Sequence, residues 1–181
     1  MTSQPKLTIS KLDAAKRQLE TVIRLYFAHG DPVSIHTLTS ASYNVIRDVN
    51  KNRGGTPLLA KDQFLDYIKQ GHEKEVRDLI NAAENFFKHA DRDHDATLDF
   101  NPKQSEFLIL EACGTYWKLT GEFPPLFRVY QTWFVAHNER LFNFPDHDRY
   151  AITKSAKEVT KLSKEQFFSP ALAAAMRPYD A

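Results

Sequence analysis

With 181 residues, 42% of them hydrophobic and 26% charged, the chain has the make-up of one ordinary globular domain, large enough to bury a core and too apolar for disorder to be the default. Lysine and arginine number 24 against 23 aspartates and glutamates; the formal charge of +1 excludes a strong overall footprint for nucleic acid or an anionic membrane and leaves only local patches. Cys113 is the only cysteine, which excludes intrachain disulfides and thiolate-rich zinc sites and fits a reducing compartment.

The opening MTSQPKLTIS lacks the apolar core of a secretory signal, and residues 1–9 read as a flexible N-terminus. No apolar run approaches the roughly 20 residues needed to cross a bilayer. The expectation is a soluble cytoplasmic protein with no membrane partner.

The first helix is marked by Leu12, Ala15, Leu19, Val22, Ile23, Tyr26 and Phe27 at steps of three and four. Gly30 reads as its left-handed stop. Asp31-Pro32 reads as N-cap and first turn of a second helix, carrying Ile35, Leu38, Ser42, Val45 and Val49 and ending in NKNRGG at 50–55. The short turn favours an antiparallel pair. Thr56-Pro57 repeats the device and predicts a third, shorter helix with Leu58, Phe64, Leu65 and Ile68.

After Gly71 comes the strongest apolar stripe of the chain: Val76, Leu79, Ile80, Ala83, Phe86, Phe87 and Ala90. Asn101-Pro102 starts a fifth helix with Phe107, Leu110, Cys113 and Trp117, ending at Gly121. Pro124-Pro125 introduces a sixth with Leu126, Val129, Tyr130, Trp133, Phe134 and His137. Beyond Pro145 the pattern weakens; Ser163 to Gln166 has capping-box spacing, and a short helix follows Pro170. No strand, repeat or low-complexity tract appears. The reading is an all-α, single-domain bundle of about six main antiparallel helices over 10–145, with 146–181 as a less regular C-terminal extension packed on it.

The densest chemistry is NFFKHADRDHDATLDF, residues 85–100. Asp91, Asp93 and Asp95 have the spacing of the first calcium ligands of an EF-hand loop, but Ala96 stands where the turn needs glycine and Pro102 where it needs a bidentate glutamate. Those aspartates are therefore weak metal candidates, and the loop reads as a solvated connection. His89, Asp91, His94, His137, Asp146, His147 and Asp148 have the ligand types of a transition-metal hydrolase, and DHD at 93–95 and 146–148 resembles the His-Asp pair of the HD phosphohydrolases. The Glu-x-x-His spacing of helical di-metal sites is missing. No metal is favoured and no cofactor is expected.

Just upstream, Glu84-Asn85-Phe86-Phe87-Lys88-His89 resembles the Arg-polar-xxx-His motif of the HEPN superfamily, helical-bundle proteins that are often RNases of defence and toxin–antitoxin systems. The resemblance implies that Asn85 takes the polar position and His89 that of the catalytic histidine, moving a proton at a ribose 2′-hydroxyl while the arginine steadies phosphate. Glu84 stands where that arginine belongs, and a carboxylate repels the phosphate an arginine would attract. The bland alternative makes His89 a helix-ending residue suited to the dipole.

The aromatics Phe123, Phe127, Tyr130, Trp133 and Phe134 have core spacing, and His36 reads as a packed polar residue. The leading expectation is a helical binding or accessory protein, a degenerate HEPN-like module with a protein or RNA partner and room for a homodimer. The competing one is an enzyme: an atypical RNase centred on His89, or a metal-dependent hydrolase using the His/Asp clusters.

Overall fold

The computed structural model describes residues 6–91, 94–143 and 146–177, and for 146–152 the backbone alone. Among these residues there are seven α-helices and no strand: α1 (Lys11–Phe27), α2 (Pro32–Asn52), α3 (Glu73–Lys88), α4 (Lys103–Thr120), α5 (Pro125–His137), α6 (Asp146–Val159) and α7 (Lys164–Ala175). Short 3-10 turns cover Gln63–Tyr67 and Glu139–Leu141. No described helix is long and apolar enough to cross a membrane.

The frame is α1, α2, α4 and α5. Ser10 and Asp13 form a capping box that starts α1, and Asp31 accepts from the Ser34 N–H at 2.7 Å to start α2, with Pro32 in its first turn as the sequence suggests. The four residues between them fold α2 back on α1 in the most extensive helix contact of the chain. Leu19, Val22, Ile23 and Phe27 are buried against Tyr43 and Ile46 of α2, Ile109 and Cys113 of α4, and Phe127, Tyr130 and Phe134 of α5. The α5 aromatics are therefore core, as their spacing suggests. Each large buried apolar side chain contributes about 1.5–3 kcal/mol.

The end of α1 differs from expectation. Its left-handed residue is His29, at φ 52°, and not Gly30. The Gly30 N–H reaches back to the Leu25 carbonyl at 2.8 Å, and a Cβ on Gly30 would sit 3.1 Å from Leu25. A side chain at Gly30, one residue beyond the left-handed position, would press tightly on Leu25. Lys164 from the start of α7 donates to the Tyr26 carbonyl at 3.0 Å and lies over the Tyr26 ring. Arg128 does the same service for α7, donating to the Ala175 carbonyl at 2.7 Å.

The predicted helix after Thr56-Pro57 does not form, apart from the 3-10 turn at 63–67. Side chains from neighbouring elements capture its backbone N–H groups. Asp62 accepts from Leu58, and Glu111 of α4 accepts from both Leu59 and Ala60 while also taking the Tyr43 hydroxyl at 2.7 Å. Arg47 of α2 holds Asp62 in place through two N–H groups. Of the captured groups, only the Ala60 N–H would serve a helix begun at Pro57, by donating to the Thr56 carbonyl. That carbonyl instead accepts from Asn50 at 2.7 Å, Glu111 takes the Ala60 N–H, and the chain turns.

The C-terminal region is more regular than its sequence suggests. It forms α6 and α7, both packed on α5. Among the described side chains of α6, Ala156 is buried and Val159 partly so. In α7 the capping box of Ser163 and Gln166 forms as expected, but the helix runs through Pro170. It does so because Phe167 and Phe168, before the proline, pack on Phe27 and Trp133.

His36 is 2% exposed, between the Ser105 hydroxyl at 3.0 Å and the Ser40 hydroxyl at 3.3 Å, with Phe87 and Phe100 edge-on. It is the packed polar residue its sequence setting suggested, joining α2 to α3, α4 and the segment before α4. Burial lowers its pKa below the ordinary 6.5. A depressed folded-state value means that stability is complete above about pH 6.5 and declines as the pH falls below it. The melting temperature should fall between pH 6.5 and 5, and His36→Gln should flatten that dependence. Separately, His29→Gly relieves the left-handed histidine but removes its 2.5 Å contact with Glu165, so urea denaturation should show a net change below about 1 kcal/mol.

Candidate functional site on the third helix

α3 has the strongest apolar stripe in the sequence and buries little of it. Ala83 and Glu84 are its buried residues, while Leu79 is 69% exposed and Phe86 and Phe87 are half-covered. The helix lies chiefly against α2 and the 63–67 turn. Phe87 docks edge-on against His36 and Phe100, anchoring the C-terminal end of the helix.

Glu84, at the position where the HEPN motif has arginine, faces inward and is 8% exposed. Its carboxylate accepts from Lys61 at 2.6 Å, from Lys88 at 2.7 Å and from the Asn44 amide at 2.6 Å. Lys61, 6% exposed, also donates to Asn44 at 3.0 Å and sits over the Tyr43 ring. Burial by itself would raise the Glu84 pKa, but the two lysine hydrogen bonds outweigh it and hold the carboxyl below its usual range. Burial dominates at Lys61 and draws its pKa down. The group is a closed polar joint between α2, α3 and the turn at 56–62.

Asn85 and His89 do come together. Both line an open groove of about 660 Å³ with Phe86, Asp91, Thr97 and Leu98. His89 caps the helix, its own N–H donating to the Asn85 carbonyl at 3.0 Å, so the bland role as a helix-ending residue is also real. No arginine or lysine lines this groove among the described residues. A second groove of about 340 Å³ lies on the other side of Asn85, lined by Asn44, Arg47, Lys61, Arg77, Asn81 and Glu84, with Asp48 among its acids.

Arg77, Asn81 and Asn85 follow at four-residue steps on α3 and were legible as one polar face. Arg47 and Lys61 join them only through the tertiary fold.

The other candidates are scattered. Among the described residues no three His, Cys, Asp or Glu side chains gather in a way that could hold a metal ion. Asp91 and Asp95 are exposed, and Asp95 lies 3.0 Å from His94. Asp93 lies outside the described residues, as do the side chains of Asp146, His147 and Asp148. His137 is committed to its own helix, with Nδ1 3.0 Å from the Trp133 carbonyl and its ring 3.9 Å from that indole.

The Glu84 joint should be sensitive to charge. Glu84→Arg would leave three cations facing Asn44 in a buried space, and breaking a buried pair typically costs about 3–5 kcal/mol. Urea denaturation should register a loss of that order, far above the roughly 0.5 kcal/mol of a surface substitution.

No protein-family model, no curated protein and no solved structure matches this chain.

Proposed function

We propose that the chain is a helical binding module, HEPN-like with a degenerate motif, that holds single-stranded RNA along the polar flank of α3 without cutting it. The observation that carries this reading is the inward Glu84. The residue at the arginine position is spent on Lys61 and Lys88, and the groove with Asn85 and His89 has no described cation to steady a phosphate in a transition state. Cations lie instead in the adjoining groove, where Arg77 and Arg47 flank the amides of Asn81 and Asn85.

That division suits binding. The Arg77 guanidinium takes a phosphate oxygen, while the half-buried ring of Phe86 and the imidazole of His89 offer faces for an unstacked base. Asp48 in the same groove keeps the local charge modest, so the affinity is modest and falls with salt. Cys113, buried and free, suits the reducing cytoplasm that goes with this reading.

A fluorescence-anisotropy titration with a labelled single-stranded oligoribonucleotide tests it. Binding should saturate, weaken as salt rises, and leave the RNA intact with or without chelator. Arg77→Ala should weaken binding and reduce the salt slope by about 0.7, the value for one phosphate contact on a single strand. Absence of saturable binding would sink the proposal. Chelator-resistant cleavage that disappears in His89→Ala would establish the RNase reading in its place, and cleavage abolished by chelator would favour the metal-hydrolase reading.

A further inference from the structure

A groove of about 670 Å³ lies between α4 and the segment 55–59, and it shares no lining residue with either groove of α3. Glu111, Gly114, Thr115 and Lys118 line it from α4. Those positions are i, i+3, i+4 and i+7, one face of the helix. The volume falls within the roughly 300–1,000 Å³ of small-molecule sites.

Two residues on that face lack a reason within the chain. Gly114 sits inside the helix, where glycine is a poorer choice than any residue but proline. A Cβ added there would meet nothing of the rest of the chain within 4 Å, so no neighbour demands the small residue. Gly55, also on the lining, is the contrast: a Cβ there would collide with the Asn50 side chain. Thr115 is the second case. Thr39, Thr120 and Thr132 each donate a hydroxyl to the carbonyl four residues back. Thr115 is 7% exposed, and among the described residues its hydroxyl has no hydrogen-bond partner. A buried hydroxyl left unpaired is costly. The bare stretch of helix beside it leaves room for a partner from outside.

Charge narrows what that partner is. Lys118 is exposed and makes no ion pair among the described residues. Arg53 gives one N–H to the Leu119 carbonyl at 3.2 Å and keeps its remaining donors. The acid on the lining, Glu111, has its oxygens taken by the Tyr43 hydroxyl and the N–H groups of Leu59 and Ala60. α2 and α4 both end near the groove, and their dipoles by themselves disfavour an anion. Donors cover those ends: Arg53 on the Leu119 carbonyl, and the Gly55 N–H on the Asn50 carbonyl at 2.9 Å. Pro57, Leu58 and the 60% exposed Leu59 add an apolar wall.

We propose that this groove binds a small phosphate monoester, its phosphate at Arg53, Lys118 and the Thr115 hydroxyl and its organic body over Gly114 against Leu59. Three donor side chains match the three unesterified oxygens of such a phosphate, whereas a carboxylate offers two oxygens.

Phenyl phosphate is the probe, titrated calorimetrically into the full chain, with benzoate and inorganic phosphate as comparisons. Phenyl phosphate should saturate one site at millimolar concentration or below, and each comparison should bind about tenfold more weakly or worse. Gly114→Leu should weaken phenyl phosphate by about tenfold or more while keeping the far-ultraviolet helix signal, because open space receives the new side chain. Thr115→Val, which removes the hydroxyl and keeps the shape, and Lys118→Ala should each weaken it too; these two decide the matter if Gly114→Leu fails to fold.

Nothing in this site depends on the RNA reading. Arg77→Ala should leave phenyl phosphate affinity unchanged, and Gly114→Leu should leave RNA binding unchanged. Failure of phenyl phosphate to saturate would overturn the proposal. So would benzoate or inorganic phosphate binding equally well, folded variants that bind as tightly as the unmodified chain, or loss of the site in Arg77→Ala.

Discussion

A carboxylate held between two lysines governs how α3 sits on this protein, and most of its surface chemistry depends on that setting. α3 buries only Ala83 and Glu84, so hydrophobic burial alone would fix its position loosely. Glu84 is met by Lys61 from the turn, Lys88 from its own helix and Asn44 from α2. Desolvating such charges is expensive, and the net contribution to stability is small. What the pair supplies is orientation. With Glu84 turned inward, each neighbour on α3 is carried round by a fixed angle. Arg77, Asn81 and Asn85 face one groove, and Leu79, Ala82 and Phe86 form the opposite flank.

The same economy recurs elsewhere. Polar side chains do the joining between elements, while the aromatic core of α1, α2, α4 and α5 supplies bulk stability. Glu111 gathers the Tyr43 hydroxyl and two backbone N–H groups of the segment before the 3-10 turn. His36 ties α2 to the end of α3 and the start of α4. Lys164 and Arg128 close the carbonyl ends of α1 and α7. Each is a long-range contact between groups whose desolvation must be compensated, so each specifies which element lies next to which.

The polar groove beside α3 carries less available charge than its residue types suggest. Ion pairs such as Arg47–Asp62 and Lys61–Glu84 consume much of the nominal positive charge around the polar groove. Arg77 stands out there, since among the described residues it makes no ion pair.

Periodicity, caps and prolines sufficed for the all-helical class, for the starts of α2 and α5 and for the end of α4 at Gly121, because these are local consequences of side-chain spacing and backbone φ. The pairing of Asn85 with His89 was likewise legible, since four residues on a helix make neighbours. Other features were not. The segment after Pro57 has helical spacing, yet Glu111 takes the Ala60 N–H and Asn50 the Thr56 carbonyl that a helix would join. α6 opens on a charged run, Asp146 to Arg149, with no clear cap in the sequence, and it packs on α5. The inward setting of Glu84 depends on Lys61, which lies 23 residues away in sequence. Local propensity is written in neighbouring residues, whereas the fate of a buried charge or a contested N–H depends on partners far along the chain, and only the packed structure decides which partner arrives.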